Sequence, residues 1–216
     1  MTDSADKFFD IRVFFSKLGR AKYISHLDLY RTVQRAIKRA KLPVWETKGF
    51  NRHIYLTFAL PLALGVEGLH ESMDMRLVSD MSFDNVRENL NAALPEELTI
   101  LSVARPVMKH TKIKKASYRI ITDINTDNFK EFLNQEKIVT EKKTKKKITI
   151  VDLKPHIMEI RIESGKICLV LPAGVDFAIN PGLVIESYKT FKPESWDSDF
   201  FVSRTEIFTG EGKRFE

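Results

Sequence analysis

The chain has 216 residues, 43% of them hydrophobic, with only 9 glycines and 8 prolines; this balance buries a core in one or two domains and excludes a low-complexity chain. The lone cysteine, Cys168, has no partner for an intramolecular disulfide or a Cys-based metal site, and its apolar neighbours place it in the core. With no signal-peptide pattern and no apolar run near the roughly 20 residues of a membrane span, a soluble, cytoplasmic protein is expected.

The first half reads as strand, helix, strand, strand, helix, strand. Between Asp10 and Ser16, Ile11, Val13 and Phe15 alternate with Arg12, Phe14 and Ser16, the pattern of a half-buried strand. Leu27, Tyr30, Val33, Ile37 and Ala40 recur at helical spacing and stop near Lys41, ahead of Pro43. Ile54, Leu56, Phe58 and Leu60 mark a second strand, and Met73, Met75 and Leu77 a third, after turns at Gly65 and Gly68. Ser82 caps a helix with Phe83, Val86, Leu90 and Ala93 on one side, and Leu98 to Val103 is a further strand.

The second half repeats the order in shorter form. Tyr118 to Ile124 is a strand, Asn125 or Thr126 caps a helix bearing Phe129, Phe132 and Leu133, and Ile138 to Lys142 starts a charged strand. Met158, Ile160 and Ile162 alternate up to a Ser164-Gly165 turn, Lys166 to Leu171 returns, and Asn180-Pro181 opens a helix with Leu183, Val184, Ser187 and Tyr188. The expectation is an α+β protein of two tandem ferredoxin-like units, residues 1–108 and 109–216, each an antiparallel sheet with its helices on one face. Such a sheet leaves one face open, where Phe8, Phe9, Phe14 and Tyr55 are candidates for stacking bases, unless the sheets or a partner cover them.

Net charge is +6, and it is regional: Arg105 to Lys147 holds 13 Lys or Arg against 5 Asp or Glu. Lys109, Lys112, Lys114 and Lys115 form one cluster; Lys142, Lys143, Lys145, Lys146 and Lys147 form another. They read either as solvated loop tips or as a surface that tracks phosphates. On the first helix Arg31, Arg35, Lys38 and Arg39 fall at i, i+4, i+7 and i+8 and so make one stripe, with no acid between Arg31 and Lys41. A solvated helix mixes signs, so an all-basic stripe favours an anionic partner.

Ser25, His26 and Asp28 cannot align as a catalytic triad at adjacent positions; Ser25 is read as N-cap and Asp28 as N3 of a capping box. That leaves His26 at N1, where the helix dipole disfavours imidazolium, and where it serves either as a local hydrogen-bonding group or as a general base or phosphate contact. His53 follows the turn formers Gly49 and Asn51, and with His26 and the nearby cations Lys48 and Arg52 it offers the parts of a metal-independent ribonuclease. No metal-ligand spacing, Walker loop, G-x-G-x-x-G or G-x-S-x-G occurs, so no metal or cofactor is expected.

Several stretches together resemble the radical-SAM-linked protein family, an uncharacterised domain found alone or joined to the C-terminal side of a cobalamin-binding radical SAM enzyme. They are V-F-F-S-K-L-G-R from Val13, I-S-H-L-D from Ile24, R-A-I-K-R-A-K-L-P from Arg35 and K-G-F-N-R-H from Lys48. F-A-L-P-L-A-L-G-V-E from Phe58, D-L-K-P-H-I from Asp152 and S-R-T-E from Ser203 complete the set. The family's usual prolines on both sides of the histidine are replaced here by Arg52 and Ile54, which implies a less rigid loop around His53. The resemblance implies an RNA-related task beside a radical SAM enzyme, whose own C-x-x-x-C-x-x-C motif this chain lacks. Three readings follow: an accessory protein binding tRNA or rRNA, a metal-independent endoribonuclease using His26 and His53, and a protein-interaction module without nucleic acid.

Overall fold

A computed structural model describes residues 8–50, 52–143, 148–163 and 165–216. The chain is a mixed α+β protein that divides into two compact units, residues up to His110 together with Glu216, and Thr111–Phe215. Asn51, Ser164, Lys145, Lys146 and Lys147, each singled out from the sequence, lie outside the described residues, as does the side chain of Lys143.

The first unit runs β1 (Phe9–Lys17), α1 (His26–Arg39), β2 (Leu56–Phe58), β3 (Glu67–Leu77), α2 (Phe83–Ala93) and β4 (Leu98–Ala104). Its strands pair antiparallel in the order β4-β1-β3-β2. Alternation sends Ile11, Val13 and Phe15 of β1 and Met73, Met75 and Leu77 of β3 to one face, where Leu29, Val33 and Ile37 of α1 and Val86 and Leu90 of α2 close the core. Leu27, expected on that apolar face, is instead exposed at the helix start, two positions ahead of the buried Leu29.

The other side of β1 is buried as well, so the strand is not half-exposed as its alternation suggests. Phe14 stacks on His70, ring centroids 4.9 Å apart, and is 6% exposed. Arg12 is 1% exposed, yet its guanidinium is fully engaged. Nε and Nη2 donate to the two oxygens of Asp74 at 2.7 and 2.8 Å, Nη1 donates to the Glu216 backbone oxygen at 2.6 Å, and Nη2 also to the Met108 carbonyl at 2.9 Å. One side chain therefore ties β1 to β3, to the segment leaving β4, and to Glu216.

The second unit runs β5 (Ile113–Thr122), α3 (Thr126–Leu133), β6 (Val139–Lys143), β7 (Ile148–Asp152), β8 (Met158–Glu163), β9 (Lys166–Pro172), α4 (Pro181–Phe191) and β10 (Phe200–Thr209). Its sheet has the antiparallel order β10-β5-β9-β8, while β6 and β7, between α3 and β8 in the chain, form a separate two-stranded sheet among the described residues. Asn125 and Asn180 cap the two helices through their side-chain oxygens, and Phe129, Phe132 and Tyr188 pack together between them. Two elements differ from the sequence reading. The strand at Ile138 to Lys142 belongs to that two-stranded sheet rather than to the main sheet, and β10 is a full strand where only a tail was expected.

Truncating one member of a buried ion pair strands the other's charge. Arg12→Ala is expected to lower the unfolding free energy by about 3–5 kcal/mol, read as a fall in the urea midpoint.

Candidate nucleic-acid interface

Helix α1 displays the basic stripe to solvent. Ser25 is its N-cap: the hydroxyl oxygen accepts from the Asp28 backbone N–H at 3.1 Å and donates to the Asp28 carboxylate at 2.7 Å. Leu29, Val33, Ala36 and Ile37 are buried, which turns Arg31, Arg35, Lys38 and Arg39 outward, all four exposed. Arg31 reaches Asp28 at 3.5 Å, and Arg39 donates at 2.5 Å to the Ala93 carbonyl, capping the C-terminal end of α2. Arg35 and Lys38 have no ion pair or side-chain hydrogen bond among the described residues.

The stripe extends past the helix end. The Leu42 N–H donates to the Ile37 carbonyl and the Lys41 N–H to the Lys38 carbonyl, the paired bonds of a Schellman termination. The residue that must turn left-handed is Lys41, at φ +50°, a position where glycine costs about 1 kcal/mol less. A cation stands there, exposed, beside Lys38.

Below the start of α1 lies a buried lysine. Lys17, 2% exposed at the end of β1, donates from Nζ to the carbonyls of Ile24 at 3.2 Å and Lys22 at 3.4 Å, under the turn Gly19–Tyr23. Glu67 accepts from the Gly19 N–H at 3.0 Å, and Glu71 is buried under Gly68, where an added Cβ would stand 2.4 Å from Glu71 Cγ. A side chain at position 68 therefore requires the Glu71 side chain to shift. His26 packs edge-on against Phe58, centroids 5.2 Å apart. Burial first, and the Lys17 ammonium second, push its imidazole below the ordinary value of 6.5.

His53 stands elsewhere along the helix. Its backbone bonds with Thr47, and its side chain is exposed beside exposed Arg52. Tyr30, one turn along α1 from His26, reaches the Ile54 carbonyl at 3.4 Å, while His26 meets Phe58. Four residues of chain, at most roughly 13 Å, separate Ile54 from Phe58. Lys48 is exposed in the same loop as His53.

The lysine clusters do not act as blocks. Lys112 is exposed, Lys114 pairs with Asp176 at 2.5 Å, and Lys115, the next residue on β5, points to the opposite face. Lys142 donates to the Ala178 carbonyl at 2.7 Å with its ammonium 4.8 Å from the centre of the Phe177 ring. Of the aromatic candidates, Phe14 is covered by His70, and Phe8 and Tyr55 each receive the Arg76 guanidinium, at 5.3 and 5.2 Å. Arg76 is in turn held by both oxygens of Asp10, at 2.6 and 3.0 Å. Missed from the sequence were the buried charges Arg12, Lys17, Glu71, Arg204 and Glu206, which nothing in their strands' patterns sets apart from solvent-facing polar residues.

The model of a family described as "Uncharacterized protein conserved in bacteria (DUF2344)" matches residues 10–188. The chain belongs to the DUF2344 family. This family occurs as a standalone or a radical-SAM-linked uncharacterised domain. Comparison with curated proteins finds no significant match to this DUF2344 chain. Among solved structures, an unknown protein from Galdieria sulphuraria is 12% identical, with 92% of this chain and 99% of that one covered and a TM-score of 0.29. No helix among the described residues is long and apolar enough to cross a membrane.

The His26 shift fixes the sign of its pH dependence. A folded-state value below 6.5 means the unfolded chain binds the proton more tightly, so His26 destabilises the fold as pH falls through 6.5 and has no effect well above it. An NMR titration is expected to place its midpoint below 6.5, and Lys17→Met to move that midpoint part of the way back, because burial remains.

Proposed function

We propose that the chain is a cytoplasmic RNA-binding accessory protein, taking tRNA or rRNA beside a radical SAM enzyme, and built from two ferredoxin-like units that meet near residues 108 and 109. The architecture is supported by the strand order: β4-β1-β3-β2 in one unit and β10-β5-β9-β8 in the other are the same order, fourth-first-third-second, of a β-α-β-β-α-β chain. The radical SAM partner is supported by the family alone.

The observation that carries RNA binding is the exposed stripe of α1. Arg35 and Lys38 lack counter-charges among the described residues, and Lys41 continues the row from a backbone position that favours glycine. A surface serving only solubility gains nothing from that arrangement, whereas a polyanion does. Lys48 and Arg52 add cations from the loop after α1; in the second unit Lys112 and Lys115 have no ion pair among the described residues, whereas Lys114 is paired with Asp176 and Lys142 is engaged by the Ala178 carbonyl.

Labelled tRNA and rRNA fragments titrated at several salt concentrations test the reading. Affinity is expected to fall steeply with salt, and Arg35→Glu with Lys38→Glu to weaken binding about tenfold or more and flatten the slope by roughly 1 to 2. Lys41→Gly is expected to stabilise the fold by about 1 kcal/mol and still weaken binding. Absent or salt-independent binding favours the protein-interaction reading.

A second reading rests on His26, held neutral near pH 7 and open to solvent, as the base of a metal-independent ribonuclease. Incubating RNA with the chain in EDTA decides it: this reading expects cleavage that His26→Ala abolishes and His53→Ala reduces, and the accessory reading expects intact RNA.

A further inference from the structure

The sheet of the second unit has a face that neither α3 nor α4 covers. Phe200 packs against Tyr188 of α4 at 6.2 Å, so alternation along β10 turns Phe201 and Ser203 to the other side. Register carries that face across the sheet. Phe201 stands opposite Ile121 and then Lys166 and Glu163; Ser203 stands opposite Arg119, Cys168 and Arg161. Lys115 of β5 shares the same side, opposite Phe208.

The exposed part of this face combines two chemistries. Phe201 and Ile121 form an adjacent pair, 52% and 43% exposed. Diagonal to Phe201, at a spacing of roughly 7–8 Å, stands Arg119. Its Nε is buried and has no hydrogen-bond partner among the described residues. Arg161 lies two strands away, exposed; neither arginine's side chain has an ion pair or hydrogen bond among the described residues. The acids on the face are engaged: Glu163 with Lys166 at 3.1 Å, and buried Glu206 with Arg214. Cys168, expected in the core, is half-buried between the two arginines.

We infer that this face binds single-stranded RNA, with an unpaired base stacked on Phe201 and Ile121 and backbone phosphates taken by Arg119 and Arg161. The inference rests on the RNA reading above and names the kind of RNA and the surface that reads it. A nucleotide offers a flat apolar face and an anion within one residue's reach, matching the pairing of aromatic and cation here. A duplex hides its base faces in the stack, so only an unpaired strand uses Phe201. An acidic peptide satisfies the arginines but leaves the Phe201 and Ile121 pair without a role.

Fluorescence anisotropy with the full chain, using a labelled 12-nucleotide oligouridine and a duplex of equal length, tests this. The single strand is expected to bind more tightly; Phe201→Ala to cost about tenfold with Phe201→Tyr retaining affinity; and Arg161→Ala to flatten the salt slope by roughly 0.7. Phe201 and Arg161 are exposed, so these variants keep the fold, checked by an unchanged urea midpoint. RNA binding that is lost with Arg35→Glu and Lys38→Glu but unmoved by Phe201→Ala and Arg161→Ala overturns the inference and leaves the α1 reading standing. Absence of all RNA binding, or capture of polyglutamate in its place, overturns both.

Discussion

Arg12 sits in an inner strand of the first unit with its charge removed from water, and each part of its fork meets an oxygen: both of Asp74, and the backbone oxygens of Met108 and Glu216. A buried guanidinium tolerates few other arrangements, because any unmet donor costs more than the bond returns. That requirement fixes β1 against β3 and draws the segment after β4 across the strand. Five residues on, at the end of β1, Lys17 repeats the device on a smaller scale, its ammonium closed off by the carbonyls of Lys22 and Ile24. The turn before α1 is therefore held from beneath, and with it the position of Ser25, His26 and the whole outward face of the helix.

Much of the first unit was legible in its sequence, because period 2 and period 3.6 are clean where one face is buried and the other is wet. Ser25 as a cap, the stop before Pro43 and the outward Arg31, Arg35, Lys38 and Arg39 all follow from spacing alone. Legibility failed where polar groups are buried. Arg12 and Ser16 look like the wet side of β1 and Lys17 like its solvated end, yet they are 1%, 6% and 2% exposed. In β10, Ser203, Arg204 and Glu206 are buried in the same way and erased the alternation that would have marked a strand. Tertiary partners decided these positions, and a single sequence does not name partners.

The two-stranded sheet of β6 and β7 illustrates a different limit. Its charged composition reads as a strand, but nothing in composition says which strand it pairs with, and the two pair with each other. Lysine clusters were likewise poor guides, since alternation on β5 sends Lys114 and Lys115 to opposite faces and Lys142 is engaged by Ala178 and Phe177. The cations of the two proposed surfaces have no ion pair among the described residues: Arg35 and Lys38 on α1, Arg119 and Arg161 on the second sheet.

Crosslinking of a bound tRNA or rRNA fragment to the full chain, with the attached residues mapped by mass spectrometry, tests the central claim most directly. The account predicts adducts within the α1 stripe, from Arg31 to Lys41, and on the second sheet at Phe201 or Cys168. Adducts confined to other surfaces, or none at all under conditions where RNA is present in excess, would contradict it.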